Sequence, residues 1–245
     1  MIGVPTTPLA PRLAPRAQAQ VQATAWRALR GARDGVAGSL LVTLPVFLQA
    51  PWVRLSPVSA TLFTAVLVAC GVLLERQRHP RLRDAGSLLV GFAGSWLAGS
   101  LFWGWCRLHP IWHLPIEAFA LPLALAGLSG RWRLGCALYL GSLVGTAATD
   151  AAIAATGVMP LWPLVLAADP LAAGPLLQDA AQRVLEPGSL LLVAAAAGLL
   201  LQACLWMWPR GRAARVASAA LATTLAIDGV FLAAALAAPR LSGLI

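Results

Sequence analysis

Residues 188–208 read GSLLLVAAAAGLLLQACLWMW, a run without a single charged side chain. A transmembrane helix needs about 20 mostly apolar residues, so this stretch is long enough to cross a bilayer unaided. The remainder of the 245-residue chain is of the same kind, 59% hydrophobic and only 11% charged. A soluble domain carries about 25% charged residues, so an ordinary soluble enzyme is excluded. The hydrophobicity is too high for a disordered chain, and 4 cysteines are too few for a disulfide-stapled secreted domain.

Outward from this run, six further stretches have the required length and composition. They run from about Gly35 to Val53 (interrupted by Pro45), Pro57 to Leu74, Ala85 to Cys106, Trp112 to Leu128, Leu134 to Val158 and Val216 to Ala238. The Trp112 to Leu128 stretch is broken by Pro115 and Pro122. The reading is therefore an all-α, polytopic transmembrane helical bundle of about seven spans over residues 35–240. A basic, largely disordered tail occupies residues 1–34, with a short interfacial helix expected over Val21 to Arg33. Its basic region is too long for a cleaved leader, and signal-anchor fits better.

The formal charge of +9 is carried by 18 arginines and no lysine. Nucleic-acid binding would require these charges to cluster as phosphate contacts. They fall instead in short runs between apolar stretches, which excludes a nucleic-acid partner and makes the charge topological. With the N-terminus inside, fourteen arginines lie in cytoplasmic segments, and only Arg54, Arg107, Arg183 and Arg240 lie outside. Positive residues concentrate on the cytoplasmic side, so a cytoplasmic N-terminus is expected. The longest external connection, residues 159–187, contains Pro160, Pro163, Pro170 and Pro175 and cannot be one helix. Leu161 to Val165 suits an interfacial segment, and Leu176 to Leu185 an amphipathic turn of helix.

No Walker loop, G-x-S-x-G, H-E-x-x-H or C-x-x-C is present. Gly91, Ser95 and Gly99 recur every fourth residue, as do Gly141 and Gly145, and such ridges let helix backbones approach closely in lipid. The informative residues are the acids at membrane depth, Glu117, Asp150 and Asp228, because an intramembrane carboxylate costs about 2.5–3.5 kcal/mol on insertion scales. At 1.5 Å per residue, Asp150 is expected near 24 Å along its span and Glu117 within about two turns of the external face. Asp228 is expected near the midplane. With His109 and His113, these acids form the candidate polar site.

The alternative reading is structural. Asp228 would bond Thr223 or Thr224, Asp150 would bond Thr146 or Thr149, and the histidines would join the interfacial belt of Trp103, Trp105 and Trp112. No metal is assigned, since the His109, His113 and Glu117 spacing is not a metal signature, and ligation of haem or chlorophyll by either histidine is weaker still. Cofactors are left unknown.

Three segments are familiar: GSWLAGSLFWGWCRLHPIWHLPIEAFALPLAL (Gly94 to Leu125), YLGSLVGTAATD (Tyr139 to Asp150) and LAIDGVFLAAA (Leu225 to Ala235). They resemble a family of uncharacterised cyanobacterial integral membrane proteins catalogued as a domain of unknown function, and the likeness runs from about Phe47 to Ala238. The resemblance implies a cyanobacterial plasma or thylakoid membrane and supplies neither an activity nor site residues. The expected function is small-solute transport or assistance to a membrane complex rather than an enzyme, with membrane lipid and other membrane proteins as partners. The alternative is an intramembrane enzyme acting on a lipid or isoprenoid near the outer leaflet.

Overall fold

The structure, a computed structural model, describes residues 31–169 and 171–239, all of them helical or in short connections. Among these, six helices are long and apolar enough to cross a membrane: α1 (Gly31–Leu55), α2 (Pro57–Glu75), α3 (Pro80–Cys106), α6 (Arg133–Ala155), α9 (Pro187–Arg210) and α10 (Arg212–Ala237). Between α3 and α6 lie two short helices, α4 (His113–Glu117) and α5 (Leu121–Gly127). Between α6 and α9 lie α7 (Leu161–Ala167) and α8 (Ala173–Leu185). The interfacial helix expected over Val21 to Arg33 and most of the expected tail fall outside the described residues, but Gly31 to Asp34 already belong to α1.

Pro45 does not end α1. The helix widens into a π-turn at Pro45–Gln49, closed by the Ala50 N–H on the Pro45 carbonyl, which absorbs the proline's missing donor. The extra residue turns Gln49 toward α3, where its Nε2 donates to the Trp96 carbonyl and, at 2.7 Å, to Ser100 Oγ. A second π-turn, Phe102–Cys106, closes α3.

Side-chain contacts give the direction of every helix. Ser87 bonds the Gly135 N–H, Gly94 faces Tyr139, and Phe102 reaches Asp150 through His113, so α3 and α6 run parallel. Gly141 against Ala217 and Thr149 against Asp228 make α6 and α10 parallel, and Asp34 with Arg212 and Ser39 with Thr223 do the same for α1 and α10. Gln49 beside Ser100 completes the circuit between α1 and α3. Four parallel helices thus contact one another in turn, while α2 and α9 run the other way outside them, as Trp96 on Ala60 with Gly86 against Glu75, and Ser218 on Cys204 with Arg215 over Trp208, show.

The parallel course of α3 and α6 obliges the chain to return between them. It does so through α4 and α5, whose residues descend along α6: His113 meets Asp150, Ala120 meets Tyr139, and Gly127 meets Cys136. The expected fourth helix is therefore two short helices separated by an irregular turn at 118–120. Pro115 and Pro122 each remove a backbone donor, which is why one continuous helix does not form.

Close backbone approach is what packs this ring. A Cβ on Gly91 would strike the Gly135 backbone, and one on Gly135 the Ser87 carbonyl, so α3 and α6 meet along glycine. Larger side chains fill the remaining space, with Phe92, Trp96, Leu138, Val216 and Ala220 in one cluster. At the end from which the four parallel helices start, Arg212 binds Asp34 at 3.0 Å and Asp84 at 2.8 Å, and Arg215 lies 3.5 Å from Asp34. This is the arginine-rich end. At the other end α7 and α8 cover α10 through Val165, Leu177, Ala181 and Ala235. The connection is two helices in sequence rather than one, as its prolines require.

Candidate functional site

The break between α4 and α5 frees backbone groups that a continuous helix would pair, and such groups need partners elsewhere. Tyr139, the chain's single tyrosine, supplies the missing partners. Its hydroxyl donates to the Glu117 carbonyl and accepts the Ala120 N–H at 3.2 Å. The Leu121 N–H turns to the Ala118 carbonyl at 2.9 Å, so it does not serve Glu117 as it would in a regular helix. One side chain of α6 therefore holds the broken segment in place.

That placement presents His113 to Asp150. His113 Nδ1 lies 2.9 Å from Asp150 Oδ1 and 3.1 Å from Oδ2, a two-oxygen contact between α4 and α6. With Nδ1 turned to the Asp150 carboxyl group, Nε2 is the second ring nitrogen. Nε2 makes no hydrogen bond with a described residue. The imidazole is enclosed by aromatic rings, with Phe102 at 4.3 Å between centroids, Trp162 at 5.9 Å and Trp103 at 6.4 Å. Trp162 comes from α7 and is anchored by its Nε1 on the Arg107 carbonyl at 2.8 Å. Trp103 and Trp162 also stack on each other and wall an apolar cavity of about 180 Å³ beneath α7 and α8.

Glu117, one turn beyond His113, is 9% exposed, and its carboxyl makes no hydrogen bond with a described residue. It interacts electrostatically with both His113 and Asp150. Asp228 of α10 accepts from Thr149 Oγ1 at 2.5 Å and interacts electrostatically with Asp150. His113 meets Asp150 directly, Asp228 bonds the neighbouring Thr149, and Glu117 is one turn along α4 from His113, so α4, α6 and α10 bring the four residues into one region. Among the described residues no group of three or more His, Cys, Asp or Glu is arranged to hold a metal ion.

Asp228 lies about 24 Å along α10, level with Thr149. Two expectations are corrected. The threonine clamps are different, since Asp150 pairs with His113, Asp228 with Thr149 of another helix, and Thr223 with Ser39. His109 stands apart, exposed at the turn that precedes Pro110–Trp112. Sequence reading passed over Tyr139, Trp162 and Gln49. The one available signal was a lone tyrosine or glutamine in an otherwise apolar span.

The chain belongs to the DUF3120 family, proteins of unknown function, which matches residues 38–236. No curated protein and no solved structure matches it.

Proposed function

We propose that this DUF3120 protein is a membrane transporter that moves a small solute together with protons, using the layer of His113, Glu117, Asp150 and Asp228. The observation that carries the reading is a broken segment placing a His–Asp pair beside a buried glutamate that has no hydrogen bond to a described residue. Ionisable groups inside membranes mark ion and proton pathways, and discontinuous helices mark the sites of transporters. A carboxyl and an imidazole one helical turn apart are groups between which a proton can pass. The residues then have separate roles. Asp150 orients His113, Glu117 carries the proton, and Asp228 with Thr149 ties the layer to α10.

The proposal includes a topology. Counting α4 and α5 as one broken crossing makes seven, with the N-terminus and the arginine-rich end in the cytoplasm and the polar layer in the outer half. It also includes a home in the plasma or thylakoid membrane of a cyanobacterium, which is where the sequence resemblance points. Membrane lipid surrounds the bundle, and other membrane proteins are the second class of partner.

A second reading is favoured by the cavity beneath α7 and α8, which shares Trp103 and Trp162 with the His113 enclosure. An apolar cavity next to an acid–base pair suits an intramembrane enzyme acting on a lipid or isoprenoid, with Glu117 or Asp150 as base. Transport is preferred because the pair sits at a broken helical segment, the form that transporter sites take.

The test is a deletion strain complemented with the parent, Glu117→Gln or Asp150→Asn, scored for ion, small-solute and lipid content. Transport predicts altered ion or solute content that the parent restores and that neither amide variant restores while expressed at parental level. Restoration by both variants would overturn the reading, and a defect confined to lipid composition would replace it with the enzymatic one.

A further inference from the structure

The arginine-rich half of the bundle contains an apolar groove of about 410 Å³ between α2, α3, α5 and α6. It extends along α3 from Ser87 to Leu97, about 15 Å of helix at 1.5 Å per residue. That is half of a hydrocarbon core about 30 Å thick, the depth of one leaflet. Val68 and Leu123, both exposed, line it, so the groove opens sideways toward the surrounding hydrocarbon. Its inner wall includes Tyr139 and Ala120, the two residues bonded at the break in the returning segment.

The end of the groove nearest the arginines carries charge. Trp132 lines it and is flanked in sequence by Arg131 and Arg133, both exposed. Arg131 lies 5.1 Å over the Trp132 ring and 3.5 Å from Glu75, which offsets part of its charge. Arg133 makes no hydrogen bond or ion pair with a described residue. Basic positions beside clefts between transmembrane helices bind anionic head groups, while the cleft accepts the chain attached to them.

We propose that the groove holds one acyl chain of an anionic phospholipid from the arginine-rich leaflet, with the phosphate bound by Arg131 and Arg133. The inference is independent of the transport reading, since no residue of the polar layer takes part. A bound chain lies against the α4–α5 break and supports it from the lipid side.

The test uses the full-length protein in nanodiscs containing equal amounts of phosphatidylglycerol and phosphatidylcholine with identical chains, followed by native mass spectrometry of the retained lipid. Each arginine near a membrane surface favours an anionic lipid about fivefold, so the parent is expected to prefer phosphatidylglycerol by about fivefold to thirtyfold, Glu75 setting the lower figure. Arg131→Gln with Arg133→Gln is expected to bring that preference close to one while lipid is still retained. Val68→Phe, which fills the groove from an exposed position, is expected to reduce retention of both lipids. Inorganic phosphate at millimolar concentration is expected to displace neither. Equal retention of the two lipids by the parent would overturn the proposal, as would an unchanged preference in the double variant. Unchanged retention in Val68→Phe would do the same, and displacement by phosphate would reassign the arginines to a free anion.

Discussion

Replacing Tyr139 by phenylalanine removes one oxygen and leaves the ring in place, which isolates what that oxygen does. In the parent it bonds the Glu117 carbonyl and the Ala120 N–H, the two backbone groups released where α4 gives way to α5. Without it both lose their hydrogen-bond partner. An orphaned buried polar group costs about 1–3 kcal/mol, so two would cost about 2–6 kcal/mol. Side-chain hydrogen bonds measured inside membrane bundles average nearer 0.6 kcal/mol, because the unfolded chain also finds partners in the bilayer. A loss of about 2 kcal/mol follows. For a chain of this size each kcal/mol moves the thermal midpoint by about 2–4 °C, giving a fall of about 4–8 °C. The assay is thermal unfolding of purified parent and variant in one detergent, followed by tryptophan fluorescence and by size exclusion after heating. A midpoint unchanged to within about 1 °C would show that Tyr139 does not hold the break, and the account of the returning segment would fail with it.

Reporter fusions placed after Arg133 and in the α7–α8 connection near 170 are expected to report opposite sides of the membrane, and equal signals would remove the seven-crossing topology. Gly141→Leu and Gly145→Leu are each expected to lower the yield of folded protein. A Cβ there already falls 2.5 Å from the Ala217 carbonyl oxygen and 2.7 Å from Thr224 Cβ, and parental yields for both would mean that α6 and α10 do not meet along this face. His113→Ala and Asp150→Ala, combined in a double-mutant cycle on unfolding, are expected to show a coupling of about 1–2 kcal/mol across their hydrogen bond. Strictly additive effects would contradict the pairing. Arg212→Gln should destabilise the bundle by about 1 kcal/mol, because Asp84 loses its partner while Asp34 keeps Arg215, and a variant as stable as the parent would show that cluster to be ornamental.

Sequence alone was enough for the all-helical class, for the positions of six of the seven expected long stretches, and for the end that is rich in arginine. Each of these follows from local composition: residues 188–208 are apolar enough to cross a membrane whatever surrounds them, and arginines mark the ends between spans. It also singled out Glu117, Asp150, Asp228 and His113, because an ionisable side chain is conspicuous in an apolar run. Pro115 and Pro122 announced a broken segment, though not the parallel course of α3 and α6 that obliges that segment to return across the bundle. Partnership was not legible. Asp150 pairs with His113 rather than a neighbouring threonine, and Asp228 stands level with Thr149, because register between helices is decided by where glycine lets backbones touch. The role of Tyr139 belongs to the same class, since the groups it satisfies are orphaned only once the α4–α5 turn has formed. Composition acts residue by residue along the chain, whereas register, hydrogen-bond partners and the enclosure of His113 by Phe102, Trp103 and Trp162 exist only when separate helices have been brought side by side.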